Sequence, residues 1–381
     1  MKSITRAIVL TIFLALSARA ELRLTDLGKL GNTLEGSALF GVNVLSINSR
    51  GEIIGNGSNS NVLQQAFYYE HGTFQSLGTN PCMAASINDA GQIVGSRMVL
   101  VTNVWYSVPG GATGTNVGYA QQPVIFSNGV PVNLFQGVNY GDAMGINDSG
   151  EIVGSVSVSN GMAYGFAYQN GSITDLGDGF SPTAINNRGD IAGQSRSFQL
   201  TVHPALYYDG QTHDLGTLGG ASGSATAIND LDEIVGWCET VSNTEPHAFL
   251  YRQGRMQDLG AFGALPAIPG IRGPISYSYA YAINDWGEIV GMSSTTNGQH
   301  GFLYANGTML DLNDLVKLTH INGPPDRPVP PGRSHDAPGF VSLFAAYGIN
   351  DLGQIVGEGN YWDGKQVSIH VFLLDAFGRD R

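Results

Sequence analysis

The apolar residues of this chain fall in short runs, and Asn, Asp or Gly bounds nearly every run. One arrangement recurs: Ile-Asn, a brief polar turn, then Gly-x-Ile-(Ile/Val/Ala)-Gly. Its copies read SINSRGEIIG, SINDAGQIVG, GINDSGEIVG, AINNRGDIAG, AINDLDEIVG, AINDWGEIVG and GINDLGQIVG, with the Asn at 48, 88, 147, 186, 229, 284 and 350. In the fifth copy Asp232 stands where the others carry their first Gly. Successive Asn lie 40, 59, 39, 43, 55 and 66 positions apart, so a unit of near forty residues carries insertions. Periods of that length are the mark of repeat architectures.

Each unit is predicted to hold four short strands. The first is small and apolar and ends in Ile-Asn, as in Ser224 to Asn229. An Asn-Asp-x-Gly turn, whose residues supply side-chain bonds and positive φ, leads to the Ile-Val-Gly strand. The third reads like His247-Ala-Phe-Leu-Tyr251, and a turn such as Asn170-Gly171 or Asn306-Gly307 opens the fourth, as in Met256 to Gly260. Paired apolar residues such as Ile152-Val153 and Ile289-Val290 predict sheets covered on both faces, since a sheet with one wet face would alternate. Sheets of this size packed face to face around an axis make a propeller. The seventh unit runs out before its Leu-Gly strand, and the missing strand stands at the other end as Leu22 to Gly28. The expected fold is therefore all-β: a single seven-bladed β-propeller of four-stranded blades, closed by an N-terminal strand that completes the last blade.

The first twenty residues do not belong to that pattern. Lys2 and Arg6 precede the apolar run Ala7 to Leu16, and Ala18-Arg19-Ala20 has the form of a cleavage site, so residues 1–20 read as a secretory signal peptide and 21–381 as the repeat domain. The run is too short to span a bilayer. Its removal deletes Lys2, Arg6 and Arg19 and no acid, which leaves 15 basic against 31 acidic residues and a net charge of −16. Nucleic acid and anionic lipid need Lys and Arg clusters, so neither is an expected partner, and no membrane insertion is expected. Export to the periplasm, the cell surface or the medium follows from the leader. Cys82 and Cys238 fall in non-adjacent units and are expected to be buried free thiols.

Stretches such as His213 to Gly220, Ala225 to Asp230, Glu233 to Gly236 and His247 to Tyr251 resemble the HAF family of extracellular repeat proteins. The likeness covers nearly all of residues 21–381 and extends to Asp311-Leu-Asn-Asp-Leu315 before the last Ile-Asn-Asp. It departs where Pro123 to Phe126 and Pro204 to Tyr207 replace the His-Ala-Phe strand. The resemblance implies bacterial export and a repeat fold, and it implies no activity.

If the strands run outward from an axis, one face holds the tight turns after strands one and three, and the opposite face holds every long connection. These are Arg97 to Gln121, Gly28 to Val44, Ala261 to Ser278 and Asn313 to Leu343. Long loops on a rigid scaffold are where binding residues gather. The ligand-binding candidates are Trp105, Tyr106, Arg272, Tyr277, Tyr279, His320, Arg327, Arg333, His335, Asp336, Tyr361 and Trp362. Aromatics beside amides and acids suit a sugar ring or a peptide.

The repeated Asn read instead as turn-forming residues. His247, His300 and His370 sit in different units, so no metal site is expected. The Asp-Leu-Gly acids 26, 175, 214, 258 and 311 read as solvated or turn-bonded. None of His-Glu-x-x-His, Cys-x-x-Cys, Gly-x-Ser-x-Gly or an EF-hand loop is present, and no cofactor is expected. The sequence thus favours an exported, monomeric binding or adhesion module for polysaccharide or protein. Two alternatives stand beside it: a glycan-active lyase or hydrolase using His320, His335, Tyr277 and Arg327, and a structural envelope or matrix protein.

Overall fold

A computed structural model describes residues 22–28, 42–57, 65–78, 81–105, 114–134, 140–157, 163–196, 201–241, 245–265, 275–318 and 338–375. The leader at 1–20 lies outside them. The repeated turn is built on its Asn. In unit five the Asn229 Oδ1 accepts from the backbone N–H of Leu231 and of Glu233, which draws the chain into the turn. Its Nδ2 donates to the Glu233 carboxylate and to the backbone carbonyl of Asn284 in the next unit, both at 3.0 Å. The first Gly of the motif takes positive φ, 80° at Gly150, and Asp232 takes the same region at 59°. Asp tolerates that conformation better than most residues, which explains why the lapse is permitted.

β1 (Arg23–Gly28) comes first, and seven hairpin meanders follow. Unit one holds β2 (Val42–Ile47), β3 (Ile53–Gly57), β4 (Gln65–Glu70) and β5 (Thr73–Leu77). Unit two holds β6 (Cys82–Ile87), β7 (Ile93–Trp105), β8 (Gly114–Ser127) and β9 (Val130–Asn133). Unit three holds β10 (Tyr140–Ile146), β11 (Ile152–Ser157), β12 (Ala163–Gln169) and β13 (Ser172–Asp178). Unit four holds β14 (Phe180–Ile185), β15 (Ile191–Arg196), β16 (Val202–Tyr208) and β17 (Gln211–Asp214). Unit five holds β18 (Gly219–Ile228), β19 (Ile234–Thr240), β20 (Pro246–Arg252) and β21 (Arg255–Gly260). Unit six holds β22 (Ser278–Ile283), β23 (Ile289–Thr295), β24 (Gly298–Ala305) and β25 (Thr308–Asp311). Unit seven holds β26 (Gly339–Ile349), β27 (Gln354–Trp362) and β28 (Val367–Asp375), with the one-turn helix α1 (Leu312–Leu315) before it.

The architecture is an all-β propeller with four-stranded blades. The expected seven separate blades are corrected in number: among the described residues there are five separate four-stranded sheets and one sheet of eight strands. Units two and three merge because β10 meets β8 in a parallel bridge, Tyr140 against Gln121. That bridge exists because β7 and β8 overrun their unit. The stretch expected to be a looped insertion is an extended hairpin, paired from Ile93↔Phe126 out to Trp105↔Gly114. β1 pairs antiparallel with β28 as the fourth strand of unit seven.

The closing Gly of each motif has a packing reason. Strand one carries a bulge in every unit, for instance between Asp142's neighbour Ala143 and Gly145, and between Ala225 and Ala227. The displaced carbonyl then occupies the place a side chain would need. A Cβ on Gly154 would overlap the Asp142 oxygen and one on Gly236 the Ser224 oxygen, and Phe166 and Phe249 lie over the same two glycines. The Phe of the third strand is accordingly buried in units one, three, five, six and seven, as Phe67, Phe166, Phe249, Phe302 and Phe372.

The core is divided among the interfaces between units. Ile54, Ala66 and Leu77 of unit one pack on Cys82, Ala84, Ile93 and Phe126 of unit two. Ile47, Ile53 and Phe67 pack on Val356 and Val371 of unit seven. The Asn side chains repeat this sequence of neighbours, each donating to the Asn carbonyl of the following unit at 2.8 to 3.1 Å, and Asn350 donates to Asn48. Both cysteines are buried and unbridged, with burial raising Cys82 and pushing Cys238 up to about 12.

The His-Ala-Phe and Asp-Leu-Gly elements prove to be one device. The His Nδ1 meets the Asp carboxylate across strands three and four in His203–Asp214 (2.8 Å), His247–Asp258 (3.0 Å), His300–Asp311 (2.6 Å) and His370–Asp26 (2.9 Å). The same Asp accepts a backbone N–H two residues on, as Asp258 does from Gly260. The acids are turn-bonded as expected, and their His partners went unread in the sequence. Burial alone would raise the Asp311 carboxyl, but the bonds from His300 and Asn313 outweigh it and hold it below its ordinary range.

Two substitutions test this account. Asn229→Ala should lose about 2–4 kcal/mol in urea unfolding, because it strands buried partners on two units. A loss under about 1 kcal/mol would contradict the role given to the Asn. Asp258→Ala should be destabilising by about 1 kcal/mol more than Asp175→Ala, since among the described residues Asp175 accepts from Gly177 N–H and is paired with no His.

Candidate functional site

Two places on the inner strands bring side chains from several units together. The first is a recess of about 190 Å³ where the seven turns meet, lined by the Ile-Asn pairs and by Ser49, Asp89, Asp148, Asn187, Asp230, Asp285 and Asp351. These polar groups bond one another. Each of Asp89, Asp148, Asn187, Asp230, Asp285 and Asp351 accepts, through Oδ1, the backbone N–H of its counterpart in the preceding unit. Burial raises the Asp351 carboxyl, and Asp285, Asp89 and Asp230 nearby raise it further. Among the described residues no group of three or more His, Cys, Asp or Glu is placed to hold a metal ion. The recess is thus lined by the repeated turns, its hydrogen bonds spent on joining units.

The second lies at the other end of the inner strands, in units five to seven. The residue three before each Asn is the bulged one: Ala85, Met144, Thr183 and Thr226 in units two to five, then Tyr281 and Tyr347 in units six and seven. Met144 is 38% exposed although it sits on an innermost strand, so this row of positions borders open space. On β22 the alternation that puts residues i and i+2 on one face carries Tyr279 beside Tyr281, and Tyr277 stands just before the strand. The rings form a continuous row. Tyr277 and Tyr279 are 6.0 Å apart, Tyr279 and Tyr281 6.4 Å with planes 6° apart, and Tyr281 and Tyr347 5.3 Å. Trp237, on the second strand of unit five, meets Tyr279 edge-on at 5.9 Å. All five rings are half-buried.

Polar groups mark both ends of the row. Gln299 Nε2 donates to the Tyr277 hydroxyl at 2.7 Å. At the inner end the Tyr347 hydroxyl donates to Glu358 Oε2 at 3.4 Å. Glu358 is 3% exposed, and burial, which outweighs the Tyr347 bond, pushes its carboxyl up to about 8. Burial also raises Tyr279, Tyr281 and Tyr347, so at neutral pH the row and its inner end carry no charge. Stacking and neutral hydrogen bonding are what such a surface offers a ligand.

Of the candidates read from the sequence, Tyr277 and Tyr279 come together here. Tyr361 packs elsewhere, parallel to His370 at 4.2 Å and edge-on to Phe340 at 5.3 Å, on the blade of β26–β28. Its neighbour Trp362 buries an indole N–H with no partner. Trp105 is the last residue of β7. Tyr106, Arg272, His320, Arg327, Arg333, His335 and Asp336 lie outside the described residues. Trp237, Tyr281, Tyr347 and Glu358 were missed, yet the aligned repeats contain the signal. Tyr interrupts a small-residue position in units six and seven, and Trp237 and Glu358 share a register with Asn56, Ser96, Ser155, Gln194 and Met292.

The Glu358 carboxyl gives the site a pH signature. Folded, it keeps its proton up to about pH 8, whereas an ordinary Glu releases it near 4.5. The folded state therefore binds more protons across that window, and stability should fall as pH rises from 4.5 towards 8. Glu358→Gln should flatten this slope in denaturant unfolding measured at several pH values, and an unchanged slope would contradict the assignment.

No family model matches the chain, and no curated protein matches it. Among solved structures it is similar to a Mycobacterium tuberculosis puromycin-hydrolysing peptidase, with a TM-score of 0.44 and 12% identity over 86% of this chain and 53% of that one. The chain therefore spans about half of the peptidase's length. It is also similar to the β-propeller domain of the Trilobed protease of Pyrococcus furiosus, which has an open velcro topology: TM-score 0.42, 10% identity, 71% of this chain and 97% of that one. A third likeness is to the six-bladed, fucose-recognising lectin of Aleuria aurantia, with a TM-score of 0.31 and 10% identity over 58% of this chain and 77% of the lectin.

Proposed function

We propose that this protein is an exported, closed ring of seven units, akin to the HAF repeat proteins, and that it binds carbohydrate on the aromatic row of units five to seven. Support for the ring comes from the Asn hydrogen bonds, which run through all seven units and return from Asn350 to Asn48. The packing of unit one against unit seven adds to it. On this reading the eight-stranded sheet is two blades joined by one bridge. Support for export is the leader-like pattern of residues 1–20.

The observation that carries the binding reading is the row itself. Five half-buried rings, Trp237, Tyr277, Tyr279, Tyr281 and Tyr347, adjoin one another on strands whose backbone is fixed by pairing and by the Asn ring. Tyr and Trp present large rigid faces with polar edges, which suits the apolar face and hydroxyl rim of a sugar. The row starts at Tyr277, where the long connection enters β22, so a ligand reaches it from the insertion-bearing side.

The test is a glycan array and polysaccharide pull-down on residues 21–381, scored for retention and for released product. Retention without new reducing or unsaturated ends, lowered about tenfold or more by Tyr279→Ala, is the expected result. Release of oligosaccharide would replace binding with catalysis, and no retention on any glycan would remove the carbohydrate reading.

A further inference from the structure

The inner end of the row stops on a group whose bonding is incomplete. Glu358 Oε2 takes the Tyr347 hydroxyl, while Oε1 is buried with no hydrogen-bond partner among the described residues. The equivalent residue of unit one uses both ends of its side chain: Asn56 donates to the Ala84 carbonyl and accepts from the Ala84 N–H, both at 2.9 Å, tying unit one to unit two. Glu358 makes no such tie. A buried polar atom left unpaired is destabilising by about 1–3 kcal/mol, and it is a place where an incoming group can complete the bonding. Its bonded neighbour among the described residues, Tyr347, is also the last ring of the row.

Building on the binding reading above, we propose that Tyr347 and Glu358 form the polar end of the aromatic row and that the ligand is a neutral sugar, stacked on Tyr279 and Tyr281 with one hydroxyl bonded to the unpaired Oε1. The alternatives fail on charge. A uronate or sulfate would lie beside a buried carboxyl, and among the described residues no Lys or Arg bonds or pairs with any member of the row. An ammonium would require the carboxyl to ionise where it is buried, and two desolvated charges rarely recover their hydration. A hydroxyl both donates and accepts, so it satisfies the neutral carboxyl without that penalty.

Isothermal titration at pH 7 tests this with three oligosaccharides of equal length and linkage: neutral hexose, free-amine hexosamine and uronate. The neutral sugar should bind about tenfold tighter than either charged one. Glu358→Ala should weaken it about tenfold, Glu358→Gln should stay close to wild type because an amide still donates and accepts, and Tyr279→Ala should remove binding. Neutral binding that is unchanged in Glu358→Ala but lost in Tyr279→Ala would overturn the role of Glu358 and leave the row standing, as would equal or tighter binding of a charged sugar. Failure of wild type to bind any of the three, with none retained on the array, would instead overturn the binding reading itself.

Discussion

The structure depends on what a single Asn side chain does in each unit. Its carbonyl oxygen holds two backbone N–H groups of its own turn, and its amide nitrogen reaches the carbonyl of the same Asn in the following unit. Neither task can be done well by another side chain: Asp lacks the donor, and Gln would carry the amide one methylene too far. Local turn formation and contact between units are thus joined in one residue, so a unit that folds its turn correctly also presents the group its neighbour needs. The spacing of sheets, the depth of the interfacial cores and the meeting of the inner strands follow from that bond.

Much of this was legible. The Ile-Asn repeat, the four-strand meander, the buried double-apolar strands and the strand at Leu22 to Gly28 that completes unit seven all depend on local composition, which a linear reading captures. What escaped it were relations between positions distant in sequence. The overrun of β7 and β8, which fuses two units, arises from the pairing of residues 98–105 with 114–121; Met98 to Trp105 is apolar and rich in Val, a strand signal that went unread, whereas Gly114 to Gln121 is polar and carries two glycines, which reads as loop. The His–Asp bonds join two motifs that look independent in sequence because they lie on neighbouring strands eleven residues apart, or 344 apart for His370 and Asp26.

The site shows the same division. Tyr277 and Tyr279 were found because an insertion ends beside them, whereas Tyr281 and Tyr347 hide inside the repeat motif, where a departure from Ala or Thr looks like ordinary variation. It is the alternation of the inner strand that sets Tyr281 on the same partly open face as Tyr279. Glu358 is harder still, since its meaning lies in the bonds it does not make, and those are visible only against Asn56 in the equivalent place.

The pairing of β1 with β28 bears on how the chain is made. Six units are contiguous in sequence and can assemble in order as they emerge, each docking on the one before. The seventh draws on β1 as well as on β26–β28, so β1 must wait, unpaired, until β28 has been synthesised. That pairing is accordingly a single late event with a very long loop to close, and its rate, more than the stability of any one unit, sets how long the edge of β28 stays uncovered.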